Sequence, residues 1–297
     1  MTIVCLGEAI VDLVCERELE RAEDADAFVP HRGGALANTA VAIARAGGDA
    51  ALLGGVGDDA WGRWLRRGLE AEDVHCGWMP TVSGVPTPLA IVTFGADREP
   101  TFAVYGQGIG ETMRSGGRYL SEAMAEASAL VFNSNTLVGE PERRLTLQAR
   151  REALDRGVPL LFDPNIRPNR WEALETPVSL CRELCDGAFC VRVNREEARL
   201  MTAIDDPASA ASALCGLGAR IAVVTLGPEG AVMRGAASGE VGSPRVDVVA
   251  PLGAGDAFMG ALAAGLEATG WEADRAAEAL PAATAAGSAA CASWGAQ

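Results

Sequence analysis

The sequence predicts an α/β protein, a three-layer αβα sandwich with a mostly parallel central sheet and a small projecting β element that could be a lid or a dimer surface. Short apolar runs alternate with Ala- and Leu-rich segments of helical length, the rhythm of parallel strands joined by crossover helices. The predicted strands end in polar or glycine-bearing clusters, which a parallel sheet gathers along one edge. Residues 83–106 break the rhythm with two strand-like runs and no helix between them, as a hairpin projecting from the body would.

Taken in order, Ile3–Leu6 is a buried strand ended by Gly7, with Glu8 and Asp12 beyond its C-terminal end. Gly33-Gly34 and Asn38 open a helix over Thr39–Ala46, stopped by Gly47-Gly48. Ala51–Val56 reads as a strand and Trp61–Glu70 as a helix. Pro88–Phe94 and Thr101–Tyr105 form the hairpin, joined by the turn-forming hexamer Gly95–Pro100. Then come helix Leu120–Glu126, strand Ala129–Phe132, helix Glu140–Arg156 and strand Val158–Phe162, which runs into Asp163-Pro-Asn165-Ile-Arg167. Strands Phe189–Val193 and Ile221–Thr225 end at Asn194 and Gly227. The last third is helical over Asp256–Ala268 and Asp274–Ser293.

The chain is organised around residues 246–265. Val246, Val248 and Val249 read as a strand, Gly253-Ala254-Gly255 as a tight turn, and the Ala-rich remainder as a helix. Amides at such a turn, with the positive end of a helix dipole behind them, form a ready anion site. Asp256 stands in the first helical turn beside it, either as a helix-stabilising charge or as a base next to a phosphate.

Bulk properties remove several classes of function. A net charge of −15 opposes nucleic-acid binding, where phosphates must be neutralised. No apolar run approaches the ~20 residues of a membrane span, and the N-terminus lacks the basic start of a signal peptide, so a cytoplasmic protein is expected. The eight cysteines have no disulfide-domain spacing and read as buried thiols. All 25 Lys+Arg positions are arginine. Mechanisms that need a lysine, the P-loop, the protein-kinase strand lysine and the Schiff base, are therefore absent. A dinucleotide oxidoreductase would need G-x-G-x-x-G after the first strand, where none occurs.

Together, Gly7-Glu8…Asp12, Gly33-Gly34 with Asn38, Asn194-x-x-Glu197, Thr225-x-Gly227-x-x-Gly230 and Gly253-Ala-Gly-Asp256 resemble the ribokinase-like (PfkB-type) carbohydrate kinases along nearly the whole chain. Asp163-Pro-Asn165-Ile-Arg167 looks like the form found in fructokinases and 2-keto-3-deoxygluconate kinases. The resemblance implies a single kinase domain over 1–297, with a lid from about 10–32 and 83–110 that also joins two copies as a homodimer. It implies ATP and Mg2+, and phosphorylation of a sugar hydroxyl.

By that resemblance Asp256 is the base, and the amides of Gly253, Ala254 and Gly255 form the anion hole. Asn194 and Glu197 organise Mg2+, the latter through water. Thr225, Gly227 and Gly230 shape the nucleotide pocket. Asp12, Gly33, Gly34, Asn38, Tyr105 and Arg167 bind the sugar. One departure stands out: relatives commonly carry an aspartate three residues before the G-A-G-D glycine, where many hold a monovalent cation, and this chain has Ala250-Pro251-Leu252. Activity without bound potassium is expected. A neutral hexose such as fructose is the expected acceptor. A nucleoside, 2-keto-3-deoxygluconate, and a non-catalytic sugar-sensing role stand as alternatives.

Overall fold

The structure is a computed structural model that describes residues 1–95, 100–105 and 108–297. Its main sheet has eight strands in the order β14-β13-β12-β11-β10-β9-β1-β4. Strands β1 (Thr2–Leu6), β4 (Ala50–Leu53), β9 (Ala127–Asn133), β10 (Leu160–Asp163), β11 (Cys190–Asn194) and β12 (Ile221–Thr225) run parallel. At one end of the sheet β13 (Ala231–Gly235) and the edge strand β14 (Gly239–Val241) pair antiparallel.

Alternation along each strand divides the core into two layers. Ile3, Cys5, Leu52, Val131, Leu161 and Val223 face helices α1 (Ala35–Arg45), α2 (Ala60–Ala71), α9 (Ala254–Ala268) and α10 (Leu280–Ala290). Val4, Leu53, Phe132, Phe162, Val193 and Val224 face α3 (Gly108–Gly116), α4 (Leu120–Glu126), α5 (Glu140–Arg156), α6 (Glu175–Leu184), α7 (Arg195–Thr202) and α8 (Pro207–Gly216). On that second face Phe132 and Phe162 stack at 4.8 Å between ring centroids. The expected sandwich, covered on both faces, is the observed one.

A separate four-stranded sheet has the order β3-β2-β7-β8, built from β2 (Ile10–Glu18), β3 (Val29–Gly33), β7 (Leu89–Phe94) and β8 (Pro100–Tyr105). The hairpin pairing is antiparallel, from Leu89 opposite Tyr105 to Phe94 opposite Pro100. Most of its expected connecting turn, residues 96–99, lies outside the described residues. Ile10, Val14, Ala90, Val92 and Phe94 on one face of this sheet pack on Ala250 and Leu252, with Trp294 and Ala296 against them. The two-residue strands β5 (Val56–Gly57) and β6 (Thr81–Val82) form a third, small sheet.

Four expected elements differ. Val246–Val249 is no strand: the chain passes there as an irregular segment whose Val249 and Ala250 amides both donate to the Cys291 carbonyl. β-Branched alternation alone does not make a strand. The Ala51–Val56 strand breaks at Gly54-Gly55, since a Cβ on Gly54 would lie 2.2 Å from the Gly7 carbonyl oxygen. Helix α1 begins at Ala35, four residues early, because Gly34 reaches φ +100° and turns the chain into it. The final helix is split, with a 3-10 turn over Ala273–Ala279 ahead of α10 and Pro281 in its first turn. Among the described residues no helix is long and apolar enough to cross a membrane.

Candidate active site

Along the C-terminal edge of the main sheet, under the small sheet, lies a cavity of about 420 Å³. The ends of four parallel strands supply it: Glu8 after β1, Asn135 after β9, Asn165, Arg167 and Arg170 after β10, Arg192 and Asn194 in β11. The N-terminus of α9 contributes Gly253, Gly255 and Asp256, and α1 contributes Asn38. Asp12 and Ala90 from β2 and β7, with Pro100, Phe102 and Val104 from β8, close the roof.

Asp256 is held at the mouth of the turn. Gly253 caps α9 at φ +76°, a conformation that favours glycine, and Ala296 packs where its Cβ would stand. The Asn38 Nδ2–H donates to Asp256 Oδ2 at 2.8 Å, and Gln297 Nε2–H donates to Asn38 Oδ1 at 2.9 Å. Burial pushes the Asp256 carboxyl up to about 7; the Asn38 hydrogen bond opposes that, Asp163 adds to it, and Arg167 and Arg192 pull it down. A carboxyl in this range exchanges a proton near neutrality, which suits acid–base chemistry.

Asp12 is only 3% exposed and is also pushed up to about 7, by burial and then by the charges of Asp256 and Glu8. Gly33 makes room for it: a Cβ there would lie 2.0 Å from Asp12 Oδ2. Glu8 is raised chiefly by burial, against the pull of Arg170. Glu8 Oε2, Asp12 Oδ1, Asn135 Oδ1 and Asn165 Oδ1 are buried and find no hydrogen-bond partner among the described residues. Buried orphan acceptors are costly; around one cavity they form a set that the hydroxyls of a polyol would satisfy.

Asn194 and Glu197 form a capping box at the start of α7. The Asn194 Oδ1 accepts from the Glu197 amide at 2.8 Å, and Glu197 Oε2 accepts from the Asn194 amide at 2.9 Å. Glu197 Oε1 accepts from the Ile166 amide at 2.8 Å, which ties α7 to the loop after β10. Both oxygens of Glu197 are thus engaged, so direct metal ligation fits poorly and contact through water fits better.

Nine of the expected site residues line this one cavity: Asp12, Gly34, Asn38, Arg167, Asn194, Glu197, Gly253, Gly255 and Asp256. Gly33 lies behind Asp12, and Ala254 is the first residue of α9. Tyr105 is a correction. Alternation along β8 turns Pro100, Phe102 and Val104 to the cavity, which sends Tyr105 to the opposite face, 54% exposed. Thr225, Gly227 and Gly230 lie outside the cavity lining, at and just beyond the end of β12. The Thr225 hydroxyl accepts from Arg192 at 2.7 Å, and Gly230, at φ +102°, lets the Val241 carbonyl oxygen approach to 1.9 Å of where a Cβ would be.

The sequence reading assigned no role to Glu8, Asn135, Phe102, Arg170 or Arg192, all of which line the cavity. Two of these carried a signal: Asn135 stands in a polar triplet straight after an apolar strand, and Arg192 is a charge between the buried valines of β11. Phe102 lies under Arg167, whose guanidinium carbon is 5.5 Å from the ring centroid.

The sequence matches the model of the pfkB family carbohydrate kinases over residues 1–297. It is 34% identical over 266 residues to a fructokinase-1 of Oryza sativa subsp. japonica, covering 88% of this chain and 81% of that protein. Among solved structures it resembles a fructokinase with bound ATP from Xylella fastidiosa at TM-score 0.83 and 28% identity, over 99% of this chain and 93% of the other. A fructokinase double mutant from Vibrio cholerae O395, in a form with fructose, ADP and potassium ion bound, superposes at TM-score 0.81 and 28% identity, over 100% and 94% of the two chains.

Proposed function

As the chain belongs to the pfkB family of carbohydrate kinases, we propose that it is a fructokinase-like enzyme, transferring the γ-phosphoryl group of ATP, bound with Mg2+, to a hydroxyl of a small neutral sugar. The observation that carries this reading is the Asn38–Asp256 pair beside the Gly253–Gly255 turn, in a cavity ringed by unpartnered oxygens.

In this account Asn38 pins Asp256 Oδ2 and leaves Oδ1 for the sugar hydroxyl. Asp256 takes the hydroxyl proton as the sugar oxygen attacks the γ-phosphorus. The new O–P bond forms as the bond to the bridging oxygen breaks, and ADP departs with the electron pair. The Gly253, Ala254 and Gly255 amides, with the positive end of α9 behind them, stabilise charge on the transferring group. Asp12, Glu8, Asn165 and Asn135 accept hydrogen bonds from sugar hydroxyls, backed by Gly33 and Gly34; Arg167 and Arg170 donate from the other side. Asn194 and Glu197 would hold the Mg2+ of the nucleotide through water, and Thr225, Gly227 and Gly230 would border its base and ribose.

The small sheet of β2, β3, β7 and β8 acts as the lid, and its exposed Val29 and Tyr105 suit pairing with a second copy of the chain. With ATP as donor, the proposed compartment is the cytoplasm. A sugar acid such as 2-keto-3-deoxygluconate is the second reading, favoured by Arg167 and Arg170, which line the cavity beside Asn165. ADP release measured with D-fructose, D-glucose, 2-keto-3-deoxygluconate and adenosine separates these readings. D-Fructose is expected to give the highest kcat/KM; the sugar acid ahead of it reverses the order, and adenosine ahead of both makes the protein a nucleoside kinase.

A further inference from the structure

Strand β11 buries Val191 and Val193 on one face of the main sheet and, between them, sends an arginine to the other. Arg192 is 8% exposed. Its Nη1–H donates to Asp163 Oδ2 at 3.0 Å and its Nη2–H to the Thr225 hydroxyl at 2.7 Å, so one guanidinium ties the ends of β10, β11 and β12 together. The same group lies against the start of α9: a Cβ on Gly255 would come within 2.6 Å of Arg192 Nη1, and the Phe258 ring centroid is 5.9 Å from its carbon. Gly255 is thus glycine because a cation occupies the space behind the turn.

We infer that Arg192 is a positioning residue for phosphoryl transfer, bracing the Gly253–Gly255 turn from behind and fixing a positive charge beside the anion site. The inference rests on the kinase reading above. Burying a charge is expensive, and a chain that needed only to join three strands had cheaper apolar choices at this position. Burial works against the charge of Arg192, but Asp163 and Glu197 outweigh it and keep the guanidinium protonated. A cation clamped by two hydrogen bonds does not reorganise as charge builds on the transferring group. In a water-poor site such a fixed charge is worth more than in solvent. Arg192 also draws Asp256 toward its ionised form, so one group serves both the anion hole and the base.

The test uses the full chain with D-fructose and ATP-Mg2+, comparing the parent with Arg192→Lys and Arg192→Met. Met keeps the stem and removes the charge: kcat is expected to fall about 10- to 100-fold with the KM for fructose within about threefold of the parent, below the loss for a direct oxyanion donor. Its acid limb moves to higher pH, because Asp256 loses a nearby positive charge. Lys restores the charge without the fork and is expected to recover kcat to within about fivefold. If Arg192→Met does not fold by circular dichroism, Arg192→Met with Asp163→Asn removes both members of the buried Arg192–Asp163 ion pair and carries the same comparison of kcat with KM. A kcat within about threefold of the parent in the Met variant or the double variant, or a Lys variant as slow as Met, overturns the inference and leaves a strand tie. A parent without sugar-dependent ADP release overturns the kinase reading itself, and this inference with it.

Discussion

Asn38 and Asp256, 218 positions apart in the chain, meet through a 2.8 Å hydrogen bond that joins helix α1 to the first turn of α9. The two helices are packed along their length, with Gly260 admitting the Thr39 carbonyl and Ala42 where a side chain would stand. A carboxyl that would otherwise swing between rotamers is therefore held in one orientation by the core of the protein.

That bond has a signature in pH. Asp256 must be ionised to accept a proton, so kcat is expected to rise with pH through a midpoint near the value of about 7 set by its burial. Asn38→Ala removes an interaction that favours the ionised form, so the midpoint moves to higher pH. Initial rates at saturating sugar between pH 5 and 9 read the shift; a midpoint that stays put or moves down would detach Asn38 from the titration of Asp256.

Asp12 should show the cost of its burial in stability. Its folded carboxyl sits at about 7 against an ordinary 3.8, so between those values the folded state binds more protons than the unfolded one. Stability contributed by this group is complete below the lower value and is lost as pH rises to the upper one. Asp12→Asn, which cannot ionise, is expected to melt above the parent at pH 8, with the gap closing by pH 4. Sugar binding should weaken in the same variant. Thermal melts showing no gap at pH 8, or a gap that widens in acid, would contradict the sign.

Position 250 bears on the salt dependence. Ala250 is fully buried among Ile10, Val92, Phe94 and Leu252, and its amide donates to the Cys291 carbonyl. The turn before α9 is thus held by apolar packing and offers no carboxylate to a cation at this point. Activity in sodium, potassium and tetramethylammonium salts at equal ionic strength is expected to agree within about twofold, shared screening being the common effect. A rise of about tenfold in potassium alone, beyond what screening can give, would show that backbone oxygens build a site without it.

Much of this was legible in the sequence because the decisive residues are punctuated locally. Gly33-Gly34, Gly253-Ala-Gly-Asp256 and the strand-end polar clusters announce turns at one sheet edge, and nine of the named residues do line one cavity. What was not legible depends on contacts across long separations. The Gln297–Asn38–Asp256 chain cannot be read from any window. Nor can the engagement of both Glu197 oxygens, one of them by Ile166. Tyr105 was misplaced because strand alternation fixes two faces but not which one meets the cavity, and Val246–Val249 because β-branched alternation is a preference that the surrounding fold can override.

The central claim is that Asp256 is the base that activates the sugar hydroxyl, and the parent and Asp256→Asn compared in ATP-dependent phosphorylation of D-fructose test it most directly. Asparagine keeps the size and the hydrogen-bonding reach toward Asn38 but cannot accept the proton. The account predicts a kcat lower by about 10²–10⁴-fold, roughly 3–5 kcal/mol of barrier, with fructose and ATP binding by calorimetry close to the parent. A variant whose kcat stays within about threefold of the parent would remove Asp256 from the chemistry.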